Sequence, residues 1–180
     1  MRNLPNLATI YLSGTKVTGP GLKSLQGMPK LSKIRIGGTP LTDVGLKHLT
    51  SLPELTVLDL NDTKVSDAGI AELGALKKLT ELNLRETAVT DLGMRSLVDL
   101  KDLTYLNISN TKVTDAGLKN LEGLKKLSSL YLWRTKVTDR SLDTLIGLPK
   151  LADVGIRNTK ITPDGVVKLR KALPKCTLDR

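Results

Sequence analysis

Seven side chains in the later part of the chain have types suited to gripping another molecule: Tyr105, Asn107, Tyr131, Trp133, Arg134 and Arg157, with Arg85 on their edge. Large amphipathic rings give contact area at low entropic cost, and guanidinium groups offer planar donors to carboxylates and carbonyls. This is the chemistry of recognition rather than of bond-making. One cysteine, Cys176, and one histidine, His48, in 180 residues leave little room for a nucleophile–base pair and none for an internal disulfide or a multi-cysteine metal motif. Threonine is abundant, but as a nucleophile it needs a free amine or a base. No catalytic residue, metal or cofactor is expected.

These side chains are positioned by a repeat. A 24-residue period runs seven times without a gap from Leu7, Leu31, Leu55, Leu79, Leu103, Leu127 and Leu151. Positions 1 and 19 of the unit are always Leu, position 6 is Leu or Ile, and position 9 is always Thr. Alternating aliphatics at 4 and 6 predict a short strand over positions 3 to 6, with one face buried. Aliphatics at 16, 19 and 22 predict one face of a short helix. Position 12 is Thr or Ser throughout and position 13 is Asp in five units, as in Thr90-Asp91, which reads as a hydroxyl N-cap followed by an anion at the helix start. Pro163 replaces that Asp in the last unit, where proline is tolerated. Lysines at positions 23 and 24, such as Lys125 and Lys126, read as helix-closing cations.

One unit cannot bury its own apolar stripe, whereas stacked units bury a continuous one. The expected fold is therefore an α/β right-handed solenoid, with a parallel sheet on the concave face and short helices on the convex face. The position-9 threonines are expected to bond backbone groups of the turn after the strand, and glycines at position 15, such as Gly93 and Gly117, to mark tight packing. On this scheme all four aromatics, Tyr11 included, fall at strand positions 3, 5 and 7, facing away from the core. His48 falls at position 18, on the helix side.

The net charge of +10 raises nucleic acid as a partner. Positions 3, 5, 7 and 8 nevertheless hold five cations (Lys33, Arg35, Arg85, Arg134, Arg157) against five carboxylates (Asp59, Asp62, Glu81, Glu86, Asp153), which is not a phosphate track. The lysines at positions 10 and 17 belong to rims and outer face. No apolar run approaches the ~18 residues a membrane-spanning helix needs.

Units such as Leu103-Thr104-Tyr105-Leu106-Asn107-Ile108-Ser109-Asn110-Thr111-Lys112-Val113-Thr114-Asp115-Ala116-Gly117-Leu118 resemble the leucine-rich-repeat family, L-x-x-L-x-L-x-x-N-x-L. Thr replaces the ladder Asn, as in a bacterial subgroup with V-T-D-x-G-L after the strand. The I-T-D-x-G-L segment of the cysteine-containing repeats in F-box adaptors is a looser resemblance. The resemblance implies a leucine-rich-repeat solenoid. The expected organisation is residues 1–6 as the tail of a preceding, truncated repeat, 7–174 as seven repeats and 175–180 as a C-terminal edge or cap. Near that end the pattern runs one residue out of register, which would put Cys176 in a position-1 slot as a buried structural thiol. The expected function is a protein-interaction module gripping a polypeptide on its concave sheet. The alternative is the substrate-recognition arm of a larger enzyme or F-box-like ubiquitin-ligase adaptor whose catalytic domain lies elsewhere.

Overall fold

The computed structural model describes residues 4–180; of the expected repeat tail, residues 1–3 lie outside the described residues. Eight three-residue strands form one parallel sheet in chain order: β1 (Thr9–Tyr11), β2 (Lys33–Arg35), β3 (Val57–Asp59), β4 (Glu81–Asn83), β5 (Tyr105–Asn107), β6 (Ser129–Tyr131), β7 (Asp153–Gly155) and β8 (Thr177–Asp179). Each residue pairs with the one 24 positions on, as Leu82 pairs with Leu106 and Leu106 with Leu130. The strands occupy positions 3 to 5. Position 6 already turns inward, its N–H still bonding the next strand, as Leu84 N–H does to the Asn107 carbonyl at 2.8 Å.

Between strands the chain makes one short α-helix per unit, a single turn in most: α1 (Gly19–Leu22), α2 (Asp43–Leu46), α3 (Asp67–Leu73), α4 (Asp91–Met94), α5 (Asp115–Leu118), α6 (Leu142–Ile146) and α7 (Pro163–Ala172). Most continue as or follow a 3-10 turn, so that leucines at positions 16 and 19 enter the same core as the strand leucines. That core is one continuous aliphatic column from Ile10 to Leu169. Among the described residues no helix is long and apolar enough to cross a membrane.

Three hydroxyl and carboxylate systems hold the backbone turns. All seven position-9 threonines donate to the carbonyl three residues earlier, at 2.6 to 2.8 Å, closing the turn within their own unit as the sequence predicts. Position 2 forms a ladder between units: Ser32, Thr56, Thr80, Thr104 and Ser128 each donate to the position-2 carbonyl of the unit before. The position-13 aspartates also reach across units, a role the capping pattern did not reveal. Asp43, Asp67, Asp91, Asp115 and Asp139 each accept from the backbone N–H and the hydroxyl at position 12 of the following unit. A Cβ at Gly69, Gly93, Gly117 or Gly165 would collide with that carboxylate, which explains glycine at position 15. The hydroxyl N-cap itself forms at Thr90, Thr114, Thr138 and Thr162.

The lysines at 23 and 24 pair with neighbouring units on the outer surface rather than closing their own helices; Lys78–Glu54 and Lys126–Asp102 both span 2.6 Å. At the C-terminal end the sheet keeps its register, with Thr177 opposite Asp153, so Lys175 rather than Cys176 is the counterpart of Leu151. Val166 and Leu169 of α7, the longest helix, keep positions 16 and 19 in the core; the one-residue slip comes at its end, where Leu173 rather than Ala172 packs inward, and is absorbed before β8. Cys176 is half-buried against the core, where burial pushes its thiol pKa up.

Candidate functional site

Alternation along each strand sends positions 4 and 6 into the core and positions 3, 5 and 7 onto the opposite face. Tyr105 and Tyr131, one strand apart, have ring centroids 5.5 Å apart, and Tyr131 meets Trp133 edge-on at 5.2 Å. The three rings form one half-buried aromatic ridge across β5, β6 and the turn after β6. Tyr11 is isolated at the far end of the sheet and 72% exposed.

The ridge is anchored by β7. The Tyr131 hydroxyl donates to the Asp153 carboxylate, and that bond, with burial behind it, pushes the phenol up to about 12. Tyr105 is also raised, chiefly by burial. The indole of Trp133 lies over Gly155, the one glycine at a strand position; a Cβ there would strike Nε1 and the Tyr131 ring. Trp133 Nε1 is buried without an acceptor among the described residues. The Trp133 backbone N–H bonds the Ser109 hydroxyl at 3.2 Å.

Beside Trp133 the surface dips into an open groove of about 260 Å³ lined by Arg85, Glu86, Ser109, Asn110, Arg134, Arg157 and Asn158. Arg85 is neutralised by Glu86 at 2.6 Å, and Arg157 is held by Asp179 at 3.0 Å and by the Arg180 carbonyl. Arg134 makes no ion pair among the described residues. The structure thus brings six of the seven expected residues to one exposed or half-exposed surface. Asn107 differs: it is 6% exposed, and its Oδ1 accepts the Ser109 N–H at 3.0 Å, so it shapes the turn beneath the ridge.

Several participants escaped the sequence reading. Position 8 adopts positive φ in all seven units, with Gly14, Gly38, Asp62, Asn110 and Asn158 joined by Glu86 and Arg134. The preference for Gly, Asn and Asp there was the available signal. In units one to six this conformation directs the position-8 N–H to the next unit's position-7 carbonyl, as from Arg134 to Arg157 at 2.9 Å. A second groove of about 240 Å³ opens among Arg35, Val57, Asp59, Glu81, Asn83 and Tyr105. His48 lies on the outer surface, 3.2 Å from Gln26. Among the described residues no group of His, Cys, Asp and Glu side chains could hold a metal ion.

A parallel one-layer sheet on one face, helical turns on the other and a 24-residue step define a leucine-rich-repeat solenoid. The leucine rich repeat family model matches residues 53–113. Internalin C2 from Listeria monocytogenes is 29% identical, with a TM-score of 0.79 covering 97% of this chain and 72% of its own. Another Listeria monocytogenes internalin (inlF) is 22% identical, with a TM-score of 0.82 over 98% of this chain and 48% of its own. A leucine-rich-repeat protein of Leptospira interrogans is 22% identical, with a TM-score of 0.72 over 99% of this chain and 50% of its own. The chain spans about half the length of the last two, whose likeness shows the fold alone. No curated protein matches the sequence. The chain has the leucine-rich-repeat fold and is similar to that family over residues 53–113, and the structural neighbours named are bacterial.

Proposed function

We propose that the chain is a non-enzymatic protein-interaction module that grips a polypeptide on its concave sheet, centred on Tyr105, Tyr131, Trp133, Arg134 and Arg157. The observation that carries this reading is the aromatic ridge set beside an arginine groove on a face built of short, rigid strands. Tyr, Trp and Arg are the residues enriched where binding energy concentrates. Eight strands at about 4.8 Å spacing make a face about 34 Å long, which suits a standard patch of ~800 Å² per partner. The arm of a larger enzyme or adaptor would use the same face; no observation here favours it over a free-standing module.

Photo-crosslinking in cells of the source organism tests the reading. A photoreactive residue placed at the concave positions of Arg35, Asn83 and Ser129 should give discrete polypeptide adducts, and one at convex Val44, Glu72 and Val167 should not. Adducts confined to the convex positions, or none from the concave face, would refute it.

A further inference from the structure

The rim that continues the concave face from position 7 to position 13 is electrically polarised along the array. In units two to four it holds two cations and five carboxylates; in units five to seven it holds five cations, Lys112, Arg134, Lys136, Arg157 and Lys160, against two carboxylates, Asp115 and Asp139. Both, like Asp43, Asp67 and Asp91 in the earlier units, are turned to the position-12 groups of the next unit, so outside that ladder the rim of units two to four keeps Asp62 and Glu86 against Lys64 and Arg85, and that of units five to seven keeps five cations. The position-10 backbone pairs across units, with Lys136 N–H on the Val113 carbonyl and Lys160 N–H on that of Val137. Lys112, Lys136 and Lys160 therefore stand in a column at roughly strand spacing, about 4.8 Å per step. All five cations are exposed. Among the described residues neither Arg134 nor any of the three lysines has an ion-pair partner.

Like charges stacked this closely repel one another until an anion lies across them. We infer that the rim of units five to seven docks an acidic polypeptide segment, its carboxylates on Arg134 and the lysine column and an apolar side chain against Trp133. This rests on the proposed interaction role and deepens it by giving the partner's chemistry. Charge complementarity favours a polypeptide over nucleic acid: a phosphate backbone running along the rim would meet Asp62 and Glu86 in units three and four, whereas an acidic stretch a few residues long ends before them.

Trp133 is the only tryptophan, so its emission reports on this rim alone. N-acetylated, amidated hexaglutamate added to the whole chain should change that emission saturably, and hexalysine should not. Raising salt from about 0.05 to about 0.3 M should weaken the response. Arg134→Gly and Lys136→Glu should each weaken it at least about fivefold, whereas convex Lys47→Glu should leave it unchanged. Arg134→Gly places glycine at φ 55°, so loss of binding there is not loss of fold. No saturable change, equal weakening by Lys47→Glu, or tighter binding of a duplex oligonucleotide than of hexaglutamate would each overturn the inference. Concave crosslinks without a hexaglutamate response would sink this inference alone; absence of concave crosslinks would sink the reading beneath it.

Discussion

Trp133 occupies its place because Gly155 lacks a side chain. Gly155→Ala puts a methyl where the indole nitrogen and the Tyr131 ring now sit, so it should push the ridge outward and shift Trp133 emission towards that of a solvated indole. An unchanged spectrum would mean that the ring does not rest on β7. Tyr131 offers a separate check. Its pKa is raised to about 12 by the Asp153 hydrogen bond first and burial second, so the folded chain holds this proton more tightly than the unfolded chain, whose phenol titrates near 10. The resulting stability is complete below about pH 10 and is lost as pH rises towards 12. In an alkaline absorbance titration the last phenolate to form should therefore be Tyr131, and Tyr131→Phe should delete that phase. At this scale the sequence disclosed which residue types face outward, because Tyr105, Tyr131 and Trp133 share a strand parity. It did not disclose what each touches. That Asn107 folds onto the Ser109 N–H, or that Arg134 sits at positive φ, depends on a turn whose geometry one sequence does not display.

The helix starts carry the joints between units. Asp91 accepts both the N–H and the hydroxyl of Thr114, at 2.7 and 2.6 Å, and removing it leaves two half-buried donors without their acceptor. Asp91→Ala should therefore cost about 1–3 kcal/mol in denaturant unfolding, while Asp164→Ala, at the start of α7 and outside this ladder, should stay within about 0.5 kcal/mol. Equal effects would assign Asp91 to simple capping. In the same ladder burial pushes Asp115 up, but the hydroxyls of Ser141 and Thr138 and the Thr138 N–H outweigh it and hold the carboxyl below the usual range. A depressed carboxyl contributes stability above its unfolded pKa, near 4, and loses it as pH falls through the folded value. The gap in melting temperature between the native chain and Asp115→Asn should accordingly be constant above about pH 5 and close below about pH 4. The Thr-Asp pair and the position-15 glycine were legible as a helix start and a tight contact. Their union into one clamp was not, since nothing in the spacing says that the carboxylate serves the following unit rather than its own.

Across the whole molecule the period dictates nearly everything about the fold, because a unit that repeats every 24 residues and buries aliphatics at fixed positions has one stacked solution. The slip beside α7 falls where the repeat pattern degenerates, and the register is restored by β8. The proposed binding face is less completely encoded: its parity follows from the period, its charge polarity only from the turns that fold the rim beside the sheet. The central claim is that the ridge binds while the column beneath it folds, and adjacent substitutions separate the two. Trp133 lies on the sheet surface with an indole N–H that has no acceptor among the described residues, whereas Leu132 is wholly buried. Measured against the partner captured by concave crosslinking, Trp133→Ala should lose at least ~2 kcal/mol of binding and about 1 kcal/mol or less of stability. Leu132→Ala should cost ~2–5 kcal/mol of folding stability. A Trp133→Ala chain that binds that partner as tightly as the native one, or that unfolds, would contradict the account.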